Sequence, residues 1–413
     1  MNKFIVLITF LLISGLTVNA QDLQYVKKTN HKLCSKKYHG RGYVKNGDSK
    51  AAKFVASEFK KAGLNGFTED YYQPYHFAIN TFPGKISVKA DDVKLIPGMD
   101  YVVSLSSTGL HGTFPLVWVP DSITTAEQLV RFTETCGTKD GFLVLSQTFK
   151  KLYGIDMPWG RGAILLEEKQ PWWHVSNGRE VGNSVWLKID QNKLAKSTKS
   201  IQIDFDNKFE EHYQTQNVAA YIEGTSVKDT FIVFTAHYDH LGMMGNKAYF
   251  PGSSDNASGT TMVLDLARYY GQHPPKYSMA FILFSGEEVG LMGSTYFAGN
   301  PLFPLNQIKL LINLDMIGTG SEGITVVNGK VFNNLFQKMV SINDEHHYLP
   351  EVKIRGEACN SDHCPFYKKG VKAIFIYTRG KEYMEYHTVT DNNVPYTKYE
   401  DFFKLIRDLA DSY

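Results

Sequence analysis

The chain has 413 residues, of which 43% are hydrophobic, 13% aromatic and 21% charged. That is a globular balance, and it excludes a disordered, collagen-like or coiled-coil protein. The 44 Lys and Arg against 42 Asp and Glu leave a formal net charge of +2, which gives no support to nucleic-acid binding or to electrostatic attachment to a membrane.

The first twenty residues read as a signal peptide. Lys3 supplies a positive start, 4–18 is a mostly apolar run, and Val18-Asn19-Ala20 has the small-x-small pattern of a cleavage site. The run falls short of the roughly 20 residues needed to span a bilayer. No later stretch is apolar for long enough, so the mature protein is expected to be exported, periplasmic or secreted, with no membrane attachment. Export permits disulfides among the four cysteines at 34, 136, 359 and 364. Cys359 and Cys364 are close enough in sequence to bridge, although four thiols allow three pairings and two free thiols are the alternative.

Residues 48–62 carry Ala51, Ala52, Val55, Ala56 and Phe59 at helical spacing, stopped by Gly63. Over 85–205 the texture changes to short β-type runs at 114–119, 141–145, 163–166 and 185–189, separated by loops rich in Gly, Pro, Ser and Asn. All five tryptophans (118, 159, 172, 173 and 186) fall there. The expectation is an inserted β-rich domain with an aromatic core around Trp118 and Trp186. The pair Trp172-Trp173 reads either as part of that core or as the lining of a substrate groove. The insert would interrupt one larger domain made of 21–84 and 206–413.

From residue 217 a βα alternation sets in. Runs at 231–236, 279–284, 308–314 and 371–377 are nearly continuous apolar segments, as in strands buried on both faces. Residues 258–270 form an amphipathic helix expected to end at Gly271, and Phe402, Leu405, Ile406 and Leu409 mark a C-terminal one. The fold class that follows is α/β: a three-layer αβα arrangement with a mixed, mostly parallel central sheet, and a ligand crevice at the carboxyl ends of the strands.

Those strand ends carry the chemistry. The first apolar run leads into His237-Tyr238-Asp239-His240, the second into Ser285-Gly286-Glu287-Glu288, and the third into Asp315. A polar loop with Asp255 precedes the amphipathic helix, and His387 and Asp391 follow the fourth run. Imidazole nitrogen with carboxylate oxygen suits zinc. With His237, Asp255, Glu288, Asp315 and His387 as ligands, two divalent ions offset three carboxylates and one bridging hydroxide, and Glu287 is left over as a base. A single ion would leave buried carboxylates uncompensated. Asp239 and Asp391 are spaced to orient the imidazoles of His237 and His387 respectively. Taken singly, each piece has a plainer reading: Asp255 as a helix N-cap and the Glu pair as a solvated surface feature; His240, His346 and His347 are expected to be ordinary polar residues.

The ordered series TAHYDHLG, PGSSDNASG, LFSGEEVGLMGS, INLDMIG, SDHCPF and YHTVTD closely resembles the two-zinc aminopeptidase family, which includes secreted bacterial leucyl aminopeptidases and plasma glutamate carboxypeptidase. The likeness covers 39–75, including Gly40-Arg41-Gly42-Tyr43, and 215–413. Residues 85–205 stand where many members carry a protease-associated insert. The resemblance implies that His237, Asp255 and Asp315 hold one zinc and Asp255, Glu288 and His387 the other, giving two Zn2+ per chain. It implies Glu287 as general base, Tyr386 as a hydrogen-bond donor to the oxyanion, and a cis peptide after Asp255. The activity implied is a zinc-dependent aminopeptidase that hydrolyses peptides at free N-termini, through a hydroxide bridging the two zinc ions. A carboxypeptidase or dipeptidase of the same family, a one-zinc glutaminyl cyclase and a non-catalytic binding module are the rival readings; the last would lack some of the ligands present here.

Overall fold

The computed structural model describes residues 22–156 and 160–413; the expected signal peptide and Trp159 lie outside them. Among the described residues, nine strands form the central sheet. Its middle is parallel: Tyr277–Phe284, Val227–His237, Ile308–Leu314 and Ala373–Arg379 lie side by side in that order. Antiparallel neighbours flank them, Lys208–Ile222 beside Tyr277–Phe284 and Gly323–Val327 beside Ala373–Arg379.

Continuous apolar sequence makes sense here because both faces of the sheet are covered. Along Val227–His237, Ile232, Phe234 and Ala236 point into one cluster with helices Leu23–Leu33, Gly47–Lys61, Ser258–Gln272, Asn333–His346 and Tyr399–Asp411. Phe231 and Val233 point the other way, into a smaller cluster that includes Phe297 of Met292–Gly299 and Phe366 of His363–Lys368. The layers are those of a three-layer α/β fold. One helix end departs from expectation. Gly271 lies inside Ser258–Gln272 instead of capping it, and a Cβ there would sit 2.2 Å from the Ala62 carbonyl. Glycine at 271 therefore serves the close approach of two helices rather than a helix stop.

Among the described residues, no strand from 86–205 enters the central sheet. These residues build a second sheet of eight strands, running in space from Val93–Lys94 at one edge to Tyr101–Val103 at the other. A helix, Ala126–Cys136, lies within it and starts with a capping box between Thr125 and Gln128. The aromatic core differs from the expectation. Trp186 is buried with Leu129, Leu143 and Phe149 in a small cluster, but Trp118 packs against a different, larger one. That larger cluster also contains Tyr43, Tyr75, Phe77, Tyr213 and Phe250 from outside 85–205. The second sheet thus shares its main core with the first, because its sheet face closes directly onto Tyr72–Thr81 and the 242–250 hairpin.

Candidate metal centre

The parallel strands deliver their polar residues to one end, as the topology of such sheets requires. His237 is the last residue of its strand, Glu287 and Glu288 follow Phe284, and Asp315 follows Leu314. Asp255 comes from the 253–257 turn ahead of the long helix, and its peptide bond to Asn256 is cis. That turn is gripped from below by Arg41, which is fully buried. The Arg41 guanidinium donates to the carbonyls of Tyr238 (2.9 Å), Pro251 (2.5 Å), Gly252 (2.7 Å) and Asp255 (3.3 Å).

All five expected ligands converge. His237 Nε2 lies 3.2 Å from Asp255 Oδ1 and 3.4 Å from Asp315 Oδ1. His387 Nε2 lies 3.1 Å from the other oxygen of Asp255 and 3.3 Å from Glu288 Oε2. Donors in a tetrahedral zinc shell with bonds of about 2.0–2.2 Å are separated by roughly 3.3–3.6 Å, close to these four imidazole–carboxylate separations, and among the described residues the donor atoms lying within 4.8 Å of one another are those of His237, Glu287 and Asp315 and those of His237, Asp255 and Glu288. Asp255 offers one oxygen to each imidazole and so stands between two donor sets. Oδ1 of Asp315 is buried without a hydrogen-bond partner, while Oδ2 accepts from Ser361 Oγ at 2.8 Å. The residues present fit divalent metal.

The field at the site has the matching sign. Burial drives protons off His237, but Asp315, Glu287, Asp239 and Asp255 outweigh it and hold the imidazole well above its ordinary pKa. His387 is raised in the same way, chiefly by Glu288 and Asp255. Burial pushes Glu288 up, yet His387 and His240 bring its carboxyl down to about 2. Each imidazole thus lies in the field of several buried carboxylates, a field that favours positive charge and so would favour divalent cations.

Glu287 is only half-buried and offers an oxygen within 4.8 Å of donor atoms of His237 and Asp315. Burial raises its pKa, against His237, with Glu288, Asp362 and Asp315 adding to the rise. The ring of Tyr386 stacks on His387 with centroids 3.9 Å apart. Asp239 Oδ1 is 3.6 Å from His237 Nδ1. Its carboxylate also accepts from Tyr43 Oη at 2.6 Å and faces the amides of Glu287 and Glu288.

Two sequence expectations fail. Asp391 does not serve His387, whose Nδ1 has no partner among the described residues. Its carboxylate accepts instead from the Ser254 amide at 2.8 Å, the Asp255 amide at 3.3 Å and Tyr383 Oη at 2.9 Å. His387 adopts a left-handed conformation and the chain turns back at Thr388, which carries Asp391 under the 253–255 turn. His240 is no ordinary polar residue either: it is fully buried, with Nδ1 2.7 Å from Glu288 Oε1. Position three after His237 was the available signal, but nothing in one sequence says which way that side chain turns. Cys359 and Cys364 are disulfide-bonded, with Cα atoms 4.9 Å apart, whereas Cys34 and Cys136 are free.

Residues 217–410 match the model of "Peptidase family M28". Aminopeptidase YwaD of Bacillus subtilis is 30% identical over 190 residues, which are 43% of this chain and 40% of that protein. Leucine aminopeptidase 1 of Fusarium vanettenii is 25% identical over 244 residues, 54% of this chain and 61% of its own length. The alignment with YwaD thus spans about two fifths of that relative. Among solved structures, a zinc aminopeptidase from Bacillus subtilis superposes with a TM-score of 0.70 at 19% identity, covering 94% of both chains. An aminopeptidase from an Aneurinibacillus strain gives 0.67 at 17%, covering 94% of this chain and 93% of its own. These superpositions establish a common fold, and residues 217–410, which hold all five converging residues, match peptidase family M28.

Proposed function

We propose that the protein is an exported aminopeptidase that holds two zinc ions and hydrolyses the first peptide bond of substrates with a free N-terminus. The observation that carries this reading is Asp255, whose two carboxylate oxygens each face a different imidazole at 3.2 and 3.1 Å. His237, Asp255 and Asp315 would hold one ion, and Asp255, Glu288 and His387 the other. When bound, the ions supply Lewis acidity to a water and to the scissile carbonyl.

The chain's own groups then have distinct tasks. Glu287, half-buried beside the ligands, accepts the proton of the attacking water and returns it to the leaving amine. Tyr386, stacked on His387, donates its phenolic hydrogen to the oxygen that gains charge. Asp239 fixes His237 and the 287–288 turn relative to each other. The surrounding carboxylates favour a substrate whose reacting end carries a cationic amine, which makes an N-terminal residue the preferred substrate end.

Elemental analysis should find about two zinc per chain, and leucine p-nitroanilide should be hydrolysed while its N-acetylated form is not. Removing metal with a chelator should abolish turnover, and zinc should restore it. One zinc with cyclisation of N-terminal glutamine, or cleavage from the carboxyl end, would refute the proposal.

A further inference from the structure

The two adjacent tryptophans in the loop between strands Gly162–Glu167 and Val185–Asp190 have opposite fates. Trp173 is 2% exposed, donates Nε1–H to the Val103 carbonyl at 2.7 Å and packs on Phe250. Trp172 remains 51% exposed. A single exposed apolar side chain is ordinary in itself; what sets this one apart is its place beside the site. Its ring meets the Tyr386 ring edge to face at 5.4 Å, and Tyr386 in turn stacks on His387.

The contact is built into the backbone. The Trp173 amide donates to the His387 carbonyl at 3.1 Å, and the His174 ring meets the His387 ring edge to face at 5.0 Å. Residues 172–174 therefore fasten the second sheet to the loop carrying His387 and Tyr386, and they fix Trp172 at the rim of the metal centre. Beyond Trp172 opens a cavity of about 370 Å³, walled also by Gln147, Glu167, Glu168, Gln170 and Lys188. Its volume is in the range of small-ligand sites.

We infer that Trp172 and this cavity form the subsite for the substrate residue that follows the scissile bond, and that the subsite selects a large apolar or aromatic side chain there. The inference rests on the aminopeptidase reading above. An N-terminal residue ends at the buried carboxylates, so the rest of the peptide must leave toward solvent, past the rim. Exposure rises in that direction, from Asp255 and His387 at 5% and 4% to Trp172 at 51%. Charge does not set the preference. The wall carries two carboxylates, Glu167 and Glu168, and two ammonium groups, Lys169 and Lys188, and the Glu167–Lys188 pair is closed at 3.4 Å. What remains is the aromatic face, which favours ring or aliphatic partners.

The test compares kcat/KM for Leu-Phe and Leu-Gly. The wild-type enzyme should favour Leu-Phe by ~10-fold, the order of one aromatic contact. In Trp172→Ala that ratio should collapse toward 1, whatever change is common to both substrates, and Trp172→Phe should restore most of it. A second readout needs no turnover. Free phenylalanine, the product released from this position, should shift the intrinsic fluorescence of the wild-type protein; glycine should not, and Trp172→Phe should lack the response. Equal rates for the two dipeptides, an unchanged ratio in Trp172→Ala, or a phenylalanine response that survives without Trp172 would overturn the subsite. Failure to cleave either dipeptide, with the fluorescence response intact, would overturn the aminopeptidase reading and leave the subsite supported.

Discussion

Asp265 offers a quantitative test of the packing that supports the site. It lies on helix Ser258–Gln272, is 2% exposed, and faces Tyr399 Oη at 3.3 Å and Arg268 at 3.5 Å. Burial pushes its carboxyl up to about 7, with Arg268 and Tyr399 pulling partly against it. An unfolded Asp titrates near 3.9. Between those two values the native state binds more protons than the unfolded chain, so stability falls as pH rises through the window. The cost accrues at about 1.4 kcal/mol per pH unit and stops growing above pH 7. From pH 5 to pH 8 that amounts to about 3 kcal/mol. Asp265→Asn removes the titration while keeping shape and an acceptor for Tyr399. Relative to wild type, the variant should therefore gain about 3 kcal/mol of stability between pH 5 and pH 8, read from urea midpoints with metal load held constant. A difference that stays flat over that range, or that moves against the variant, would refute the burial argument.

Further outcomes concern the centre itself. Glu287→Gln should lower kcat by at least ~10²-fold while retaining zinc, because it loses a proton acceptor and no ligand; Glu288→Gln should lose zinc as well as activity. Metal analysis with anilide hydrolysis on the two variants checks this, and zinc loss in Glu287→Gln would mean that the two glutamates exchange roles. His240→Leu removes the partner of Glu288 Oε1 and should weaken zinc binding by ~10–100-fold, the usual cost of losing a group that orients a metal ligand, as read by competition with a chromogenic chelator. His240→Asn, which keeps a donor near the Nδ1 position, should recover most of that affinity. Arg41→Met strands buried carbonyls of residues 238, 251, 252 and 255 at roughly 1–3 kcal/mol each. It should lower the unfolding midpoint and the zinc content together, and a stable variant with full zinc would count against Arg41 as the support of the Asp255 turn.

The convergence of these side chains was legible in the sequence because it is tied to strand ends. A buried parallel strand is announced by its apolar run, and the first polar residue after it must emerge at the same end of the sheet as those of its parallel neighbours. His237, Glu288 and Asp315 need nothing more than that to meet. The second sheet was legible as a change of texture for a similar local reason, since short β runs between Gly- and Pro-rich loops are written into neighbouring residues.

What the sequence withheld depends on direction and on distant chain. Asp391 stands four residues after His387, yet a left-handed residue and a turn between them send its carboxylate to the 253–255 amides. His240 gave no sign of reaching Glu288, because that contact joins the ends of two strands 48 residues apart. Gly271 looked like a helix stop until the Ala62 carbonyl was seen against it. Trp172 and Trp173 are identical and adjacent, yet one is half exposed and the other buried. Only the closure of the second sheet onto the 386–387 loop decides that one tryptophan is core and the other is left at the rim of the metal centre. Strand ends are local properties of a chain, whereas the partner a side chain meets there is set by which two elements the fold brings together.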